Sequence, residues 1–119
     1  SKIYKNPINY FPLKQNKTLC SVFRANLSQL GLNESVDLPP IKMGSSDIGN
    51  VSQVVPTIHP QIQMVDKEIN AHTKEFAAAA KSNSGKKVLL LGAKAMAMTA
   101  LDILIDSSLL KKIKSEFKS

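Results

Sequence analysis

The sequence predicts an α/β chain that is rich in helices and carries two or three short strands. Apolar residues recur at helical spacing over residues 17–30, and a longer apolar run covers residues 88–105. Between these two stretches, the β-branched run VSQVV at residues 51–55 is typical of a strand. The length of 119 residues suits one domain with one modest core.

The composition is that of a soluble globular protein with an aliphatic core, since 43% of the residues are hydrophobic and only 5% are aromatic. The formal net charge is +7, but Arg24 is the single arginine among 16 basic residues. Because nucleic-acid recognition relies on arginine forks, this balance argues against nucleic-acid binding and favours a solvated lysine surface.

Cysteine usage indicates a reducing compartment. The single Cys20 forms no disulfide within the chain, and the sequence opens without a signal-peptide pattern, so we expect a cytoplasmic protein. No histidine lies near Cys20 in sequence, which favours a small packing residue over a nucleophile.

The first helix is expected over residues 17–30, after an extended lead-in that covers residues 1–15. Asn16 or Thr18 can cap its start, because a short side-chain oxygen accepts a free amide of the first turn. Gly31 is the expected stop, since glycine tolerates a left-handed backbone.

The middle of the chain predicts a loop followed by two strands. The string GSSDIGN at residues 44–50 describes a tight loop with little side-chain bulk, which lets backbone amides approach a ligand closely. The strand at residues 51–55 is closed by Pro56, and the alternating piece at residues 58–65 indicates a second strand.

A short helix is expected after His72, in the string HTKEFAAAA. The Thr73 hydroxyl is a good cap, and Glu75 lies in the first turn, where the helix dipole favours an acid. His72 therefore lies just outside a helix N-terminus. The residues alone leave two readings open, a surface histidine or one half of an H-x-x-E metal pair with Glu75.

The C-terminal third predicts a linker at residues 81–86 and a long helix over residues 87–105. The alanine and methionine content of this helix suits close contact on several sides. Lys94 and Asp102 would each cost about 3 kcal/mol near a bilayer centre, so we expect a buried soluble helix rather than a membrane span.

The last helix is expected over residues 107–118, with Asp106 as its cap. Its apolar residues fall on one side, and its lysines face solvent near the C-terminus, where they complement the helix dipole. The lysine run therefore favours a solvated face over a phosphate-binding patch.

Three strings in this order, GSSDIGNVSQVVPTIHP, HTKEF and AKAMAMTALDILID, resemble the aminoacylase and glutamate-carboxypeptidase type of metal amidohydrolase. The branch they resemble most contains the aminobenzoyl-glutamate hydrolase subunit and the β-alanyl-lysine dipeptidases. The resemblance runs from Tyr10 to Phe117. It implies that residues 1–119 are the C-terminal part of a zinc-peptidase-like α/β sandwich catalytic domain, after a lid and dimerisation domain that this sequence lacks.

The resemblance also implies roles for individual residues. His72 matches the family's last metal ligand, while Ser46, Asp47 and Asn50 match a substrate-side loop that they line or hold. His59 matches an IHP motif whose role stays open. The family's H-x-D element and Glu-Glu pair have no counterpart here, so no catalytic residue is expected in this segment.

The implied chemistry is hydrolysis of the amide bond of N-acyl amino acids or dipeptides, with two divalent ions, zinc or in some branches manganese. The resemblance further implies a homodimer formed through the lid, while the charges within residues 88–105 argue against a membrane partner. The isolated chain is expected to be inactive, and unpaired strand edges would favour its self-association. The alternative is a free-standing basic helical module that binds another protein or nucleic acid.

Overall fold

The computed structural model describes residues 9–32, 46–66 and 68–119. These residues form five helices: α1 Lys17–Gln29, α2 Ile48–Ser52, α3 Lys74–Lys81, α4 Asn83–Ile105 and α5 Ser107–Lys118. The described ranges contain no strand and a single parallel bridge, between Gln15 and Thr57. The prediction of a helix-rich chain is therefore confirmed, whereas an α/β sandwich is not seen in this part of the chain.

Helix α1 begins and ends as its local sequence predicts. Asn16 is the cap, since its Oδ1 accepts the Leu19 N–H at 2.8 Å. At the other end Gly31 adopts φ +83°, the left-handed conformation that glycine reaches without strain. Phe23 and Asn26 are the buried residues of this helix.

The strand expected at residues 51–55 is wrong. Val51 and Ser52 instead end helix α2, and residues 53–55 form a turn. Ser52 is fully buried, and its Oγ accepts the Lys14 N–H at 2.9 Å while donating to the Gly49 carbonyl. This docking on the extended residues 9–15 outweighs the β propensity of the valines, which are exposed.

The second expected strand, at residues 58–65, is also wrong. The backbone there is irregular and extended, but a strand needs a neighbour, and the only ladder contact in the described ranges lies just before it. At that point the Asn16 N–H donates to the Thr57 carbonyl at 3.0 Å. Residues 44–45 of the expected glycine-serine loop lie outside the described residues.

The linker expected at residues 81–86 is reduced to Ser82. Its hydroxyl donates to the Ala79 carbonyl at 2.6 Å and accepts the Gly85 N–H at 3.2 Å, so one side chain ends α3 and caps α4. Gly85 allows this sharp junction, because a Cβ there would lie 2.4 Å from the Ala80 carbonyl oxygen. Helix α4 consequently starts four residues before the expected position.

Helix α4 packs on one side only. It contacts α1, α3 and α5, and Ala95 and Thr99 are its buried residues beside Gly85. The expectation of a buried helix is therefore wrong for the described chain, in which only 11% of the apolar window of α4 is buried. By length and composition α4 could also cross a membrane, a property that core helices of soluble proteins share.

Helix α5 returns to the start of α1. Asp106 caps it, with Oδ1 accepting the Ser108 and Leu109 N–H groups at 2.8 and 3.1 Å. The Ser108 hydroxyl, followed by these two amides, holds the pKa of Asp106 below its usual value. The expected bounds and cap of this helix are confirmed.

Polar side chains join α5 to the N-terminus of α1, and we call this set the α1–α5 clasp. Asn16 Nδ2 donates to the Ile113 carbonyl at 3.0 Å. The Glu116 carboxylate accepts the Lys17 N–H and, at 2.9 Å, the Thr18 N–H. The Lys14 ammonium donates to the Phe117 carbonyl at 2.8 Å and lies 5.2 Å from the centre of the Phe117 ring.

Candidate functional site

The turn that carries His72, residues 70–73, has an unusual backbone. His72 adopts φ +63° and is the one non-glycine residue with positive φ in the part of the chain that the structure describes. Left-handed backbone is uncommon for residues with a side chain, although histidine tolerates it better than most. Such strain costs on the order of 1 kcal/mol and is found more often at functional sites than elsewhere.

Local hydrogen bonds hold this His72 turn. The Thr73 hydroxyl donates to the Asn70 carbonyl at 2.8 Å and accepts the Phe76 N–H at 3.1 Å. The same hydroxyl thus closes the turn and caps α3, as its position in the sequence predicts. The His72 ring is exposed to solvent beside the helix N-terminus.

A shallow depression of about 230 Å³ adjoins the turn. Its lining residues are Glu68, Ile69, Asn70, Thr73 and Glu75. Two carboxylates and the N-terminal end of α3 give it mixed electrostatics, because the helix dipole is positive at that end. None of the three residues expected at the substrate-side loop lines this depression.

The donor atoms of the described residues do not make a complete metal site. Within residues 9–32, 46–66 and 68–119, no three His, Cys, Asp or Glu side chains come together as a metal cage would require. His72 can offer one imidazole nitrogen, and a site with two ions needs several further ligands. The described residues therefore fit at most a share of the metal centre that the resemblance implies.

The three residues expected at the substrate-side loop differ in what they contact. Ser46 and Asp47 are exposed, and Asp47 occupies the cap position of α2 without a side-chain hydrogen bond. Asn50 is committed to the backbone. Its Oδ1 accepts the Phe11 N–H at 2.9 Å, and its Nδ2 donates to the Asn9 carbonyl at 3.0 Å.

Sequence reasoning missed that α2 is a docking element. Gly49 packs against residue 11 so closely that a Cβ would lie 1.8 Å from the Phe11 carbonyl oxygen. Gln53 Nε2 donates to the Pro12 carbonyl at 2.9 Å, beside the Ser52 bond described above. The signal was the pair Gly49-Asn50, which indicates close backbone approach as readily as it indicates a loop.

The remaining candidate residues show no sign of chemistry. His59 is exposed in the extended segment after Thr57. Cys20 is half-buried, and its Sγ accepts a long contact from Gln15 Nε2 at 3.8 Å. Neither residue belongs to a cluster of ligands within the described ranges.

The basic-module alternative needs one patch formed by the lysines of α5, Lys86 and Lys87 of α4, and Arg24. Lys86 lies 19 residues before the end of α4, about 28 Å along the helix axis. The 12 residues of α5 span only about 18 Å, so even a fully antiparallel α5 leaves its lysines about 10 Å short.

Two curated proteins are similar to this chain over nearly its whole length. The Xaa-Arg dipeptidase of Mus musculus is 40% identical over 114 residues, and that of Homo sapiens is 37% identical over 112 residues. Each match covers 92% of this chain but 26% of the relative, so the chain spans about a quarter of the length of these relatives. No family model matches the sequence.

The two relatives are named dipeptidases, and their similarity to this chain extends over nearly all of the region that carries the motifs described above. They do not distinguish the branch expected from the motifs, since neither relative carries the name of that branch. The matched region includes the His72 turn and helix α4, because it leaves out only 8% of the chain.

Proposed function

We propose that this chain is a segment of a dipeptidase that cleaves the amide bond of dipeptides ending in arginine. The support is the 37–40% identity with two proteins named Xaa-Arg dipeptidase, spread over 92% of the chain. The chain corresponds to a quarter of those relatives, so the activity would belong to a longer polypeptide. Dipeptides are the proposed substrates rather than the wider class of N-acyl amino acids.

His72 is the residue that we propose to act at the reaction centre, as a metal ligand. The observation that supports this role is its positive φ, maintained at the N-terminus of α3 by the Thr73 hydroxyl. When bound, a pair of divalent ions such as zinc would lower the pKa of a water for attack on the amide carbon. The turn determines the position of the His72 backbone and therefore the region that its imidazole can reach. The other ligands would come from residues outside this chain.

The loop before α2 would act beside this centre. We propose that the exposed Ser46 and Asp47 line the substrate side, since Asp47 makes no cap bond and Ser46 makes only a local one, accepting the Ile48 N–H at 3.3 Å. Asn50 would hold the loop, because both ends of its amide bind the backbone of residues 9–11. Mutation of Asn50 should therefore act through loop position rather than through substrate contact.

A full-length chimera tests the role of His72. The mouse Xaa-Arg dipeptidase would carry this chain in place of its matched quarter, with either His72→Ala or His59→Ala. We expect His72→Ala to lower kcat for a dipeptide ending in arginine by at least about 100-fold and to remove bound metal. His59→Ala is the comparison variant, because it removes a second exposed histidine from an extended segment rather than from the turn before α3.

Metal content measured by plasma mass spectrometry separates the outcomes. Unchanged metal and activity in the His72→Ala chimera would return His72 to the role of a surface residue. The 119-residue chain alone should show no turnover with added zinc or manganese, because its described residues lack a complete ligand set. Metal-dependent hydrolysis by the isolated chain would contradict the proposal that it is one part of the enzyme.

A further inference from the structure

Four tripeptides in the sequence have the form Asn-x-Ser/Thr, in which x is not proline. In the secretory pathway the asparagine of such a sequon accepts N-linked glycans, and it normally lies in a surface loop. The asparagines of the four sequons are Asn16, Asn26, Asn33 and Asn50. Asn33 lies outside the described residues, whereas the surroundings of the other three are defined by the fold.

The first sequon asparagine, Asn16, lies inside the α1–α5 clasp and is only 4% exposed. Its Nδ2, the atom to which a glycan is attached, donates to the Ile113 carbonyl at 3.0 Å. Its Oδ1 accepts the Leu19 N–H and caps α1. A glycan on Nδ2 would have to occupy the space in which α5 packs, so the glycan and the clasp exclude each other.

The second sequon asparagine, Asn26, is more restricted, because both hydrogens of its Nδ2 are used. The residue is 3% exposed, and Nδ2 donates to Thr99 Oγ1 at 3.1 Å and to Asp102 Oδ2 at 2.8 Å. A side-chain amide carries two such hydrogens, and a glycan replaces one of them. Glycosylation of Asn26 would therefore remove a hydrogen bond between α1 and α4, in addition to the steric clash.

The third sequon, at Asn50, is recognisable only before α2 docks. Asn50 Nδ2 donates to the Asn9 carbonyl at 3.0 Å. The serine of this sequon, Ser52, is fully buried, and its Oγ accepts the Lys14 N–H at 2.9 Å. Because a sequon requires its hydroxyl residue as well as its asparagine, the docked α2 hides the signal.

The order of synthesis exposes the first two sequons before their partners exist. Ile113 follows Asn16 by 97 positions, and Asp102 follows Asn26 by 76 positions. At about 5–20 residues per second, a chain entering the secretory pathway would present each asparagine to the transferase for at least about 4 s before burial. Folding of this chain therefore comes too late to protect Asn16 and Asn26 from modification.

We propose that this chain folds in a compartment that lacks the N-glycosylation machinery, because its fold is incompatible with glycans on Asn16 and Asn26. The cytosol is such a compartment. The inference does not depend on the proposed dipeptidase activity. The bonds that carry it join residues within the 119-residue chain, so a longer polypeptide around this segment would leave both asparagines buried.

The test directs the 119-residue chain into the secretory pathway of yeast with a cleavable signal peptide. Limited proteolysis separates folded from unfolded molecules, since folded chains resist cleavage. Mass spectrometry then gives the glycan occupancy of each asparagine in the resistant and in the cleaved pool. We expect occupancy of Asn16 and Asn26 to be at least about tenfold lower in the resistant pool, because losing buried bonds lowers the folded fraction by about that factor.

The matched control is Ile105→Asn, which creates a sequon with Asp106 and Ser107 where the native side chain is 73% exposed. Glycan occupancy at position 105 should be equal in the two pools, because a glycan at an exposed position does not interfere with packing. Equal occupancy of Asn16 and Asn26 in the two pools would overturn the proposal.

Tunicamycin, which blocks N-glycosylation, keeps the test decisive if the secreted chain yields no resistant pool. We expect the drug to restore the protease-resistant fraction to that of the same chain made in the cytosol. A chain that stays unfolded in the drug would contradict the proposal, because the compartment rather than the glycan would then prevent folding. A folded secreted chain that carries no glycan on Asn16 and Asn26 without the drug would also contradict it.

Discussion

The α1–α5 clasp and the His72 turn are both held by side-chain hydrogen bonds, but over different spans of the chain. The clasp bonds of Lys14, Asn16 and Glu116 join residues 97 to 103 positions apart. The bonds of the His72 turn, all made by Thr73, reach no further than four positions. The clasp therefore depends on the packed fold, whereas the turn is a property of a few neighbouring residues.

This difference predicts how substitutions in the two regions affect the stability of the chain. The turn can keep a strained histidine in place without a large core, because Thr73 closes it locally. The clasp brings the two ends of the described chain together and should fail when one of its polar side chains is lost. Substitutions in the two regions should change the free energy of unfolding by amounts that differ both in size and in sign.

The largest effect is expected for Asn16→Ala, which breaks the clasp. The substitution removes the cap of α1 and the buried bond from Asn16 Nδ2 to the Ile113 carbonyl. We expect the free energy of unfolding of the 119-residue chain to fall by about 2–3 kcal/mol in urea titrations. Ser21→Ala, at an exposed position of α1, should change it by less than about 0.5 kcal/mol, and equal losses would contradict the clasp.

Substitutions at His72 should change the free energy of unfolding by less, and the sign of the change should depend on the new residue. His72→Gly should stabilise the chain by up to about 1 kcal/mol, because glycine adopts positive φ without strain. His72→Val should destabilise it by about 1–2 kcal/mol, since a β-branched residue is least tolerant of that backbone. His59→Gly should instead cost about 0.5 kcal/mol through the unfolded state, so stabilisation at both sites would argue against strain at His72.

The smallest effect concerns Glu116, whose carboxylate is open to solvent. Its bonds from Thr18, and then Lys17, hold the pKa of Glu116 below its usual value of 4.5. The stabilisation from this carboxylate is thus complete above about pH 4.5 and is lost as the pH falls through its lower folded pKa.

The urea midpoint measured from pH 6 down to pH 3 checks this expectation. Glu116→Gln should flatten the acid side of that curve, while a residual slope from Asp106 remains, because the pKa of Asp106 is also lowered. Ser115→Ala should keep the full slope of the unmodified chain. An unchanged slope in Glu116→Gln would remove Glu116 from the clasp.

The sequence predicts local features of this fold well. The caps Asn16, Thr73 and Asp106 and the left-handed Gly31 are confirmed, because each depends on atoms within about four residues. His72 was placed correctly outside a helix N-terminus for the same reason. Its positive φ was not foreseen, since histidine does not demand that conformation.

Features that depend on distant partners were mispredicted. The valines of residues 51–55 have strand propensity, but Ser52 and Gly49 dock on residues 11–14 and turn the segment into helix α2. The composition of α4 predicts a buried helix. Composition indicates that a helix face is apolar, but it does not indicate which surface covers that face. Sequence alone also gave no sign that Glu116 reaches the first turn of α1.

Because Ser82 alone joins α3 to α4, we expect the two helices to rotate together. With a single residue between the two helices and Gly85 pressed against the end of α3, the tilt of one helix follows the other. The eight residues of α3 give an arm of about 12 Å, so a rotation of roughly 5° about Ser82 displaces His72 by about 1 Å. Displacements of that size in a catalytic group can change reaction rates about 100-fold. The surface against which α4 packs therefore also affects the position of His72.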